Sequence, residues 1–176
     1  MSGRARRIFP STLAALLLVA AIAAPQDLST WVRVSPPGSR FRIRLPGTPT
    51  EVYEPETMTH NFEIRSGEQR YMVSWFNLPK KDFRATPEQN LELARDRYLK
   101  LLPAAKLVRS EPTKVGEALA LMWVLDTAPS NRRPLRMKGV AAFSQGRLFI
   151  AAFMADQFRF DEEAADRFLA TFEILP

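Results

Sequence analysis

Cysteine is absent from the chain of 176 residues, and histidine occurs once, at His60. No disulfide, thiolate nucleophile or cysteine-bound metal is therefore available. Zinc sites draw several ligands from His and Cys, so His60 reads as a structural or surface residue, and no metal or cofactor is expected. The seven glycines are scattered singly, which excludes a glycine-rich phosphate loop. No serine stands in a Gly-x-Ser-x-Gly elbow. No apolar run reaches the roughly 20 residues that cross a bilayer as a helix. Internal repeats, low-complexity tracts and a second domain are missing as well.

The N-terminus is the exception to this even texture. Arg4, Arg6 and Arg7 form a basic head, Ile8 to Gln26 carries no charge, and Leu13 to Ala24 is a short alanine-rich apolar centre. Ala21-Ile22-Ala23 ends it with a small-x-small pattern. These are the parts of a secretory signal, with cleavage expected before Ala24. The expected organisation is a signal peptide over 1–23, a linker over 24–30 and one α/β domain over 31–176. Arg6-Arg7-Ile8-Phe9 resembles part of a twin-arginine motif, but Pro10 departs from it, so export unfolded is the expected route. The product is expected in the periplasm or outside the cell, with no transmembrane segment left after cleavage. Losing Arg4, Arg6 and Arg7, with no acid beside them, lowers the formal charge from +6 to +3. Much of the basic excess belongs to the leader, and nucleic acid is not an expected partner.

Within the domain, Trp31 to Val34 reads as a strand before the Ser35-Pro36-Pro37-Gly38 turn. Phe41-Arg42-Ile43-Arg44-Leu45 alternates strictly, as a half-buried strand does. Met58 to Ile64 and Tyr71 to Leu78 follow, with Tyr71, Val73 and Trp75 on one face. Thr86, Pro87 and Gln89 make a helix start with a capping box. Leu91, Ala94, Tyr98, Leu101 and Leu102 then form its apolar stripe, and Pro103 stops it. Lys106 to Val115 and Glu117 to Asp126 flank Gly116. Ala118 to Leu125 is apolar on both faces, which suggests a central strand covered on both sides, with Trp123 in the core. Leu135 to Ser144 and Arg147 to Met154 read as a hairpin about Gln145-Gly146. Asp161 caps a last helix whose buried stripe is Ala164, Ala165, Phe168, Leu169 and Phe172, and Glu162 and Glu163 suit its dipole. Strands, helix, four strands, helix: the order implies an α+β fold, a mainly antiparallel central sheet with helices on its faces.

Trp31, the segment Phe41 to Pro49, and the close Arg167-Phe168-Leu169-Ala170-Thr171-Phe172-Glu173-Ile174-Leu175 resemble PsbP-like domains over most of the mature chain. The resemblance implies an α/β/α sandwich and a non-enzymatic role in binding or assembly support. Such domains include a photosystem extrinsic subunit, nuclear-transport factors and exported bacterial proteins. The matched residues are structural, so no site is carried over.

Three groups invite a functional reading. Asp161-Glu162-Glu163 could ligate a hard cation, but acids at a helix start more often cap it. Trp31, Trp75 and Trp123 could line a pocket, but aromatics at this spacing are more often core. Arg132, Arg133, Arg136 and Lys138 form the densest basic segment. They are the expected contact for an anionic surface or envelope protein, against the alternative of a solvated loop. Leu135 and Met137 should face one way along the strand, Arg136 and Lys138 the other. The expected function is an exported non-enzymatic binding or assembly-support domain of the envelope. The alternatives are a module for a small ligand or lipid headgroup, and an enzyme with an unrecognised site. Sequence leaves the oligomeric state open.

Overall fold

The computed structural model describes residues 28–78, 86–102, 104–128 and 133–176. The leader assigned to 1–23 lies outside them. Of the segment read as a linker, Leu28–Thr30 forms a 3-10 turn, and Leu28 packs on the core.

Among the described residues ten strands and two α-helices follow, with a further 3-10 turn at Gln157–Arg159. They are β1 (Val32–Val34), β2 (Phe41–Leu45), β3 (Thr50–Glu54), β4 (Thr59–Ser66), β5 (Gln69–Asn77), α1 (Pro87–Leu101), β6 (Lys106–Val115), β7 (Ala118–Thr127), β8 (Leu135–Ser144), β9 (Arg147–Asp156), α2 (Glu162–Ala170) and β10 (Glu173–Ile174). Seven of the strands form one sheet, ordered β3-β4-β5-β9-β8-β7-β6, and its neighbours pair antiparallel throughout. Strands β1, β2 and β10 form a second, small sheet.

The layers follow from strand parity, since successive side chains point to opposite faces. Along β9, Leu148, Ile150, Ala152 and Met154 join a core with Leu91 and Ala94 of α1. Phe149, Ala151, Phe153 and Ala155 join the other core, with Phe168 of α2 and Phe41, Ile43 and Leu45 of β2. Helix α1 thus covers one face, while α2 and the small sheet cover the other. Burying a side chain such as Phe168 is worth roughly 1.5–3 kcal/mol.

Local chemistry sets the boundaries. The Thr86 hydroxyl accepts from the Gln89 N–H, and Pro87 opens α1. The Asp161 carboxylate accepts from the Ala164 N–H at 2.9 Å and opens α2. Gln145 and Gly146 both have positive φ, 49° and 77°, the signature of a type I′ hairpin turn between β8 and β9.

Three features depart from the sequence reading. Strand β3 was not expected. Leu101, assigned to the buried stripe of α1, is 67% exposed. Strand β7, expected at the centre, is next to the edge; the central strand is β9, every residue of which after Arg147 is buried. An apolar run on both faces reports two covering layers, not a central position. Trp123 is nonetheless fully buried.

Candidate functional site

The basic segment is held by acids. Arg132 lies outside the described residues. Arg133 is exposed, with its guanidinium 3.8 Å from Asp156. Arg136 makes a two-pronged pair with Asp126 at 2.7 and 2.9 Å, and these hydrogen bonds raise its pKa further. Met137 turns toward α1, and Lys138 turns the other way. Lys138 is only 5% exposed, and its ammonium lies 2.9 Å from Glu162 and 2.6 Å from Asp166 on α2. Burial pulls its pKa down, but the hydrogen bonds and charges of Asp166 and Glu162 outweigh that and raise it. The acid run at the start of α2 is equally engaged. Asp161 caps, Glu162 holds Lys138, and Glu163 pairs with Arg167 at 3.0 Å.

The opposite end of the sheet is different. Strand β3 pairs with β4 on one side, and among the described residues no strand lies beyond it. All five of its residues are exposed, with Val52 at 52% and Tyr53 at 50%. Exposed Met58 follows in the β3–β4 connection, and exposed Leu101 lies nearby on α1.

Register places Tyr53 opposite His60, His60 opposite Trp75, and Trp75 opposite Phe149. This gives a row of rings from the free edge into the core. The Tyr53 and His60 centroids are 4.6 Å apart, and His60 stacks on Trp75 at 4.3 Å with planes 3° apart. The Arg147 guanidinium, from the strand on the other side of β5, lies 5.0 Å from the Trp75 ring. His60 Nδ1 is 3.2 Å from the Glu51 carboxylate. The lone histidine is thus a spacer between two aromatic rings, in keeping with a structural or surface residue.

On the α1 side, side chains of β3–β5 and the last turns of α1 border an open cleft of about 430 Å³. A second of about 590 Å³ adjoins it and shares Glu54, Asn61, Ser74 and Tyr98 as lining. Burial raises the Tyr98 pKa, partly opposed by its hydrogen bond with Ser74. Glu54 accepts from the Asn61 amide at 3.0 Å, and Arg97 lies over the Phe76 ring at 5.5 Å. The cleft therefore offers hydroxyl and carboxylate groups beside apolar walls.

Sequence reasoning did not find this end of the molecule. The available signal was Val52-Tyr53, a β-branched and an aromatic residue between Pro49 and Pro55.

No family model matches the sequence, and no curated protein matches it. Solved structures do. Cyanobacterial PsbP from Synechocystis superposes with a TM-score of 0.58 at 12% identity, covering 82% of this chain and 92% of that one. A protein of unknown function from Pseudomonas aeruginosa gives 0.52 at 11% identity, covering 83% and 96%. At such identities the likeness is one of backbone architecture, and in that sense the chain has a PsbP-like fold.

Proposed function

We propose that this protein is an exported, non-catalytic binding domain of the cell envelope that engages a protein partner through the β3 end of its sheet. The observation that carries the reading is that Val52, Tyr53, Met58 and Leu101, four of the nine large apolar side chains exposed among the described residues, all lie at that end, Val52 and Tyr53 on opposite faces of the edge strand. Clustered exposed apolar side chains mark interaction sites, whereas scattered ones are ordinary. The signal-like leader supports export. Binding or assembly support is also what the PsbP-like resemblance implies.

Affinity capture from the envelope fraction tests this, with residues 24–176 as bait. A partner retained by the parent and lost with the double variant Val52→Ser, Tyr53→Ser supports it. Equal recovery by both, with the variant folded by circular dichroism, rejects it.

A second reading follows from the cleft beneath α1, where Tyr98, Ser74, Asn61 and Glu54 converge. A small ligand with hydroxyl or amine groups would suit it. Native mass spectrometry of gently purified protein should then show an added mass that Tyr98→Phe, Glu54→Gln removes.

A further inference from the structure

The two edges of the main sheet are built differently. An edge strand presents unpaired N–H and C=O groups and can template another chain, and proteins blunt such edges with prolines, bulges and charge. Strand β6 has these defences. Its register with β7 slips between Leu107 and Arg109. Pro112 sits in its middle without an N–H to donate, and Lys106, Arg109, Glu111 and Lys114 stud it. Strand β3 pairs with β4 in unbroken register from Thr50 to Glu54, with no proline inside it.

The charge at β3 has one sign. From Thr50 to Met58 the chain carries Glu51, Glu54 and Glu56, all exposed, and no lysine or arginine. Glu51 meets His60, and Glu54 meets Asn61 and Thr57. Among the described residues, no lysine or arginine forms an ion pair with any of the three. This acidic edge belongs to a chain with a formal basic excess.

The aromatic row supplies a second, independent observation. Its centroid spacings of 4.6 and 4.3 Å are close to the ~4.8 Å between neighbouring strands. The row ends at Tyr53 on the free edge. Its inner end shows what a guanidinium does there, since Arg147 lies over Trp75. A residue on an added strand, directly opposite Tyr53, would take the next place in the row.

We propose that β3 accepts an extended basic segment of a partner protein as an eighth strand of the sheet. The segment sets an arginine or aromatic side chain against Tyr53 and lysines or arginines near Glu51 and Glu54. Main-chain hydrogen bonds supply the attachment and the alternate side chains supply the selectivity, as in other strand additions. The inference rests on the reading of the β3 end as the docking surface. A second copy of this chain is a poor occupant, because two β3 strands would bring acids against acids, and like charges across strands repel.

The test uses labelled protein, residues 24–176, and the peptide Lys-Lys-Trp-Val-Lys-Val-Lys, which in antiparallel register sets its tryptophan opposite Tyr53, its second lysine opposite Glu54 and its third opposite Glu51. Amide signals of β3 and β4 should shift saturably while those of β6 stay in place. Tyr53→Ala should weaken binding about fivefold, the worth of one cross-strand aromatic pair. Glu51→Lys with Glu54→Lys should weaken it about tenfold or more, since two attractions become repulsions. A glutamate version of the peptide, and one with proline for both valines, should fail. Equal binding of the proline version would reduce the effect to charge adsorption and overturn strand addition. So would shifts centred on β6, the absence of shifts, or a dimer in sedimentation that Glu51→Lys tightens. Loss of the captured partner in the Val52→Ser, Tyr53→Ser variant, with β3 silent toward the peptide, would leave the docking surface standing and remove strand addition alone. Peptide binding at β3 with capture unchanged would remove the docking surface and this inference together.

Discussion

Trp123 and Gly139 face each other across β7 and β8, and the glycine is required by the size of the indole. A Cβ at residue 139 would stand 2.9 Å from the Trp123 ring, closer than carbon atoms pack without movement. Tyr98 of α1 lies 5.9 Å from the same ring, so the indole has no room to retreat. Among the described residues its buried N–H has no partner, a cost that the packing outweighs. Trp123→Ala should cost about 3–5 kcal/mol by denaturant unfolding. Gly139→Ala should cost about 1–3 kcal/mol through overpacking. The two effects should not add, because they concern one contact. In a Trp123→Leu background most of the Gly139→Ala penalty should vanish; an unchanged penalty would place the clash elsewhere.

At the scale of elements, the sequence was most legible where a local rule acts alone. The Asp161 and Thr86 caps, the Gln145-Gly146 turn and the alternation of β2 depend on residues within a few places of each other, and each stands where it was read. Strand β3 escaped because neither of its faces is buried, so it carries no alternation to detect. Leu101 fits a helical stripe by spacing, but it is the last residue of α1 and borders the open cleft between that helix and the sheet instead of packing into the core. The environment of Lys138 was illegible for a different reason. Its partners are 24 and 28 residues away, and only the docking of α2 on β8 brings them together. That tether has a pH signature. Its acids hold the Lys138 pKa above the ordinary 10.5. A base whose pKa is raised by folding stabilises fully below its unfolded value and loses that contribution as pH rises through the folded value. Lys138→Met should therefore cost roughly 1.5–3 kcal/mol at neutral pH, the worth of a hydrogen bond to a charged group. The gap between parent and variant should close only above about pH 10.5. A gap that closes near neutrality would rule out the lysine as its source.

At the scale of the whole molecule, the question is whether two cores on opposite faces of one sheet melt together. Trp123 reports on the core beneath α1, and Trp31 on the core beneath α2 and the small sheet. The small sheet looks detachable, since β1 and β10 are only three and two residues long. Three ties argue against separate melting. Strand β9 gives alternate residues to both cores, so neither face can open without stripping the central strand. Strand β10 brings the end of the chain back to β2, pairing Glu173 with Arg42 and Ile174 with Phe41, and the Leu175 N–H continues that edge to the Arg40 carbonyl at 2.8 Å. Trp31, Phe41, Phe168 and Phe172 are buried against one another and the sheet, and releasing the small sheet would expose them all at once. Domains of this size usually unfold as one unit when no such seam exists. Variants that keep a single tryptophan, one retaining Trp31 and one retaining Trp123, separate the two signals. In each, the fluorescence midpoint in urea should coincide with the midpoint from far-ultraviolet circular dichroism. If the Trp31 signal changes at lower urea than the circular dichroism, the small sheet is an independent flap. In that case deleting residues 173–176 should leave the Trp123 transition unmoved, whereas a single cooperative unit requires that deletion to lower both midpoints together.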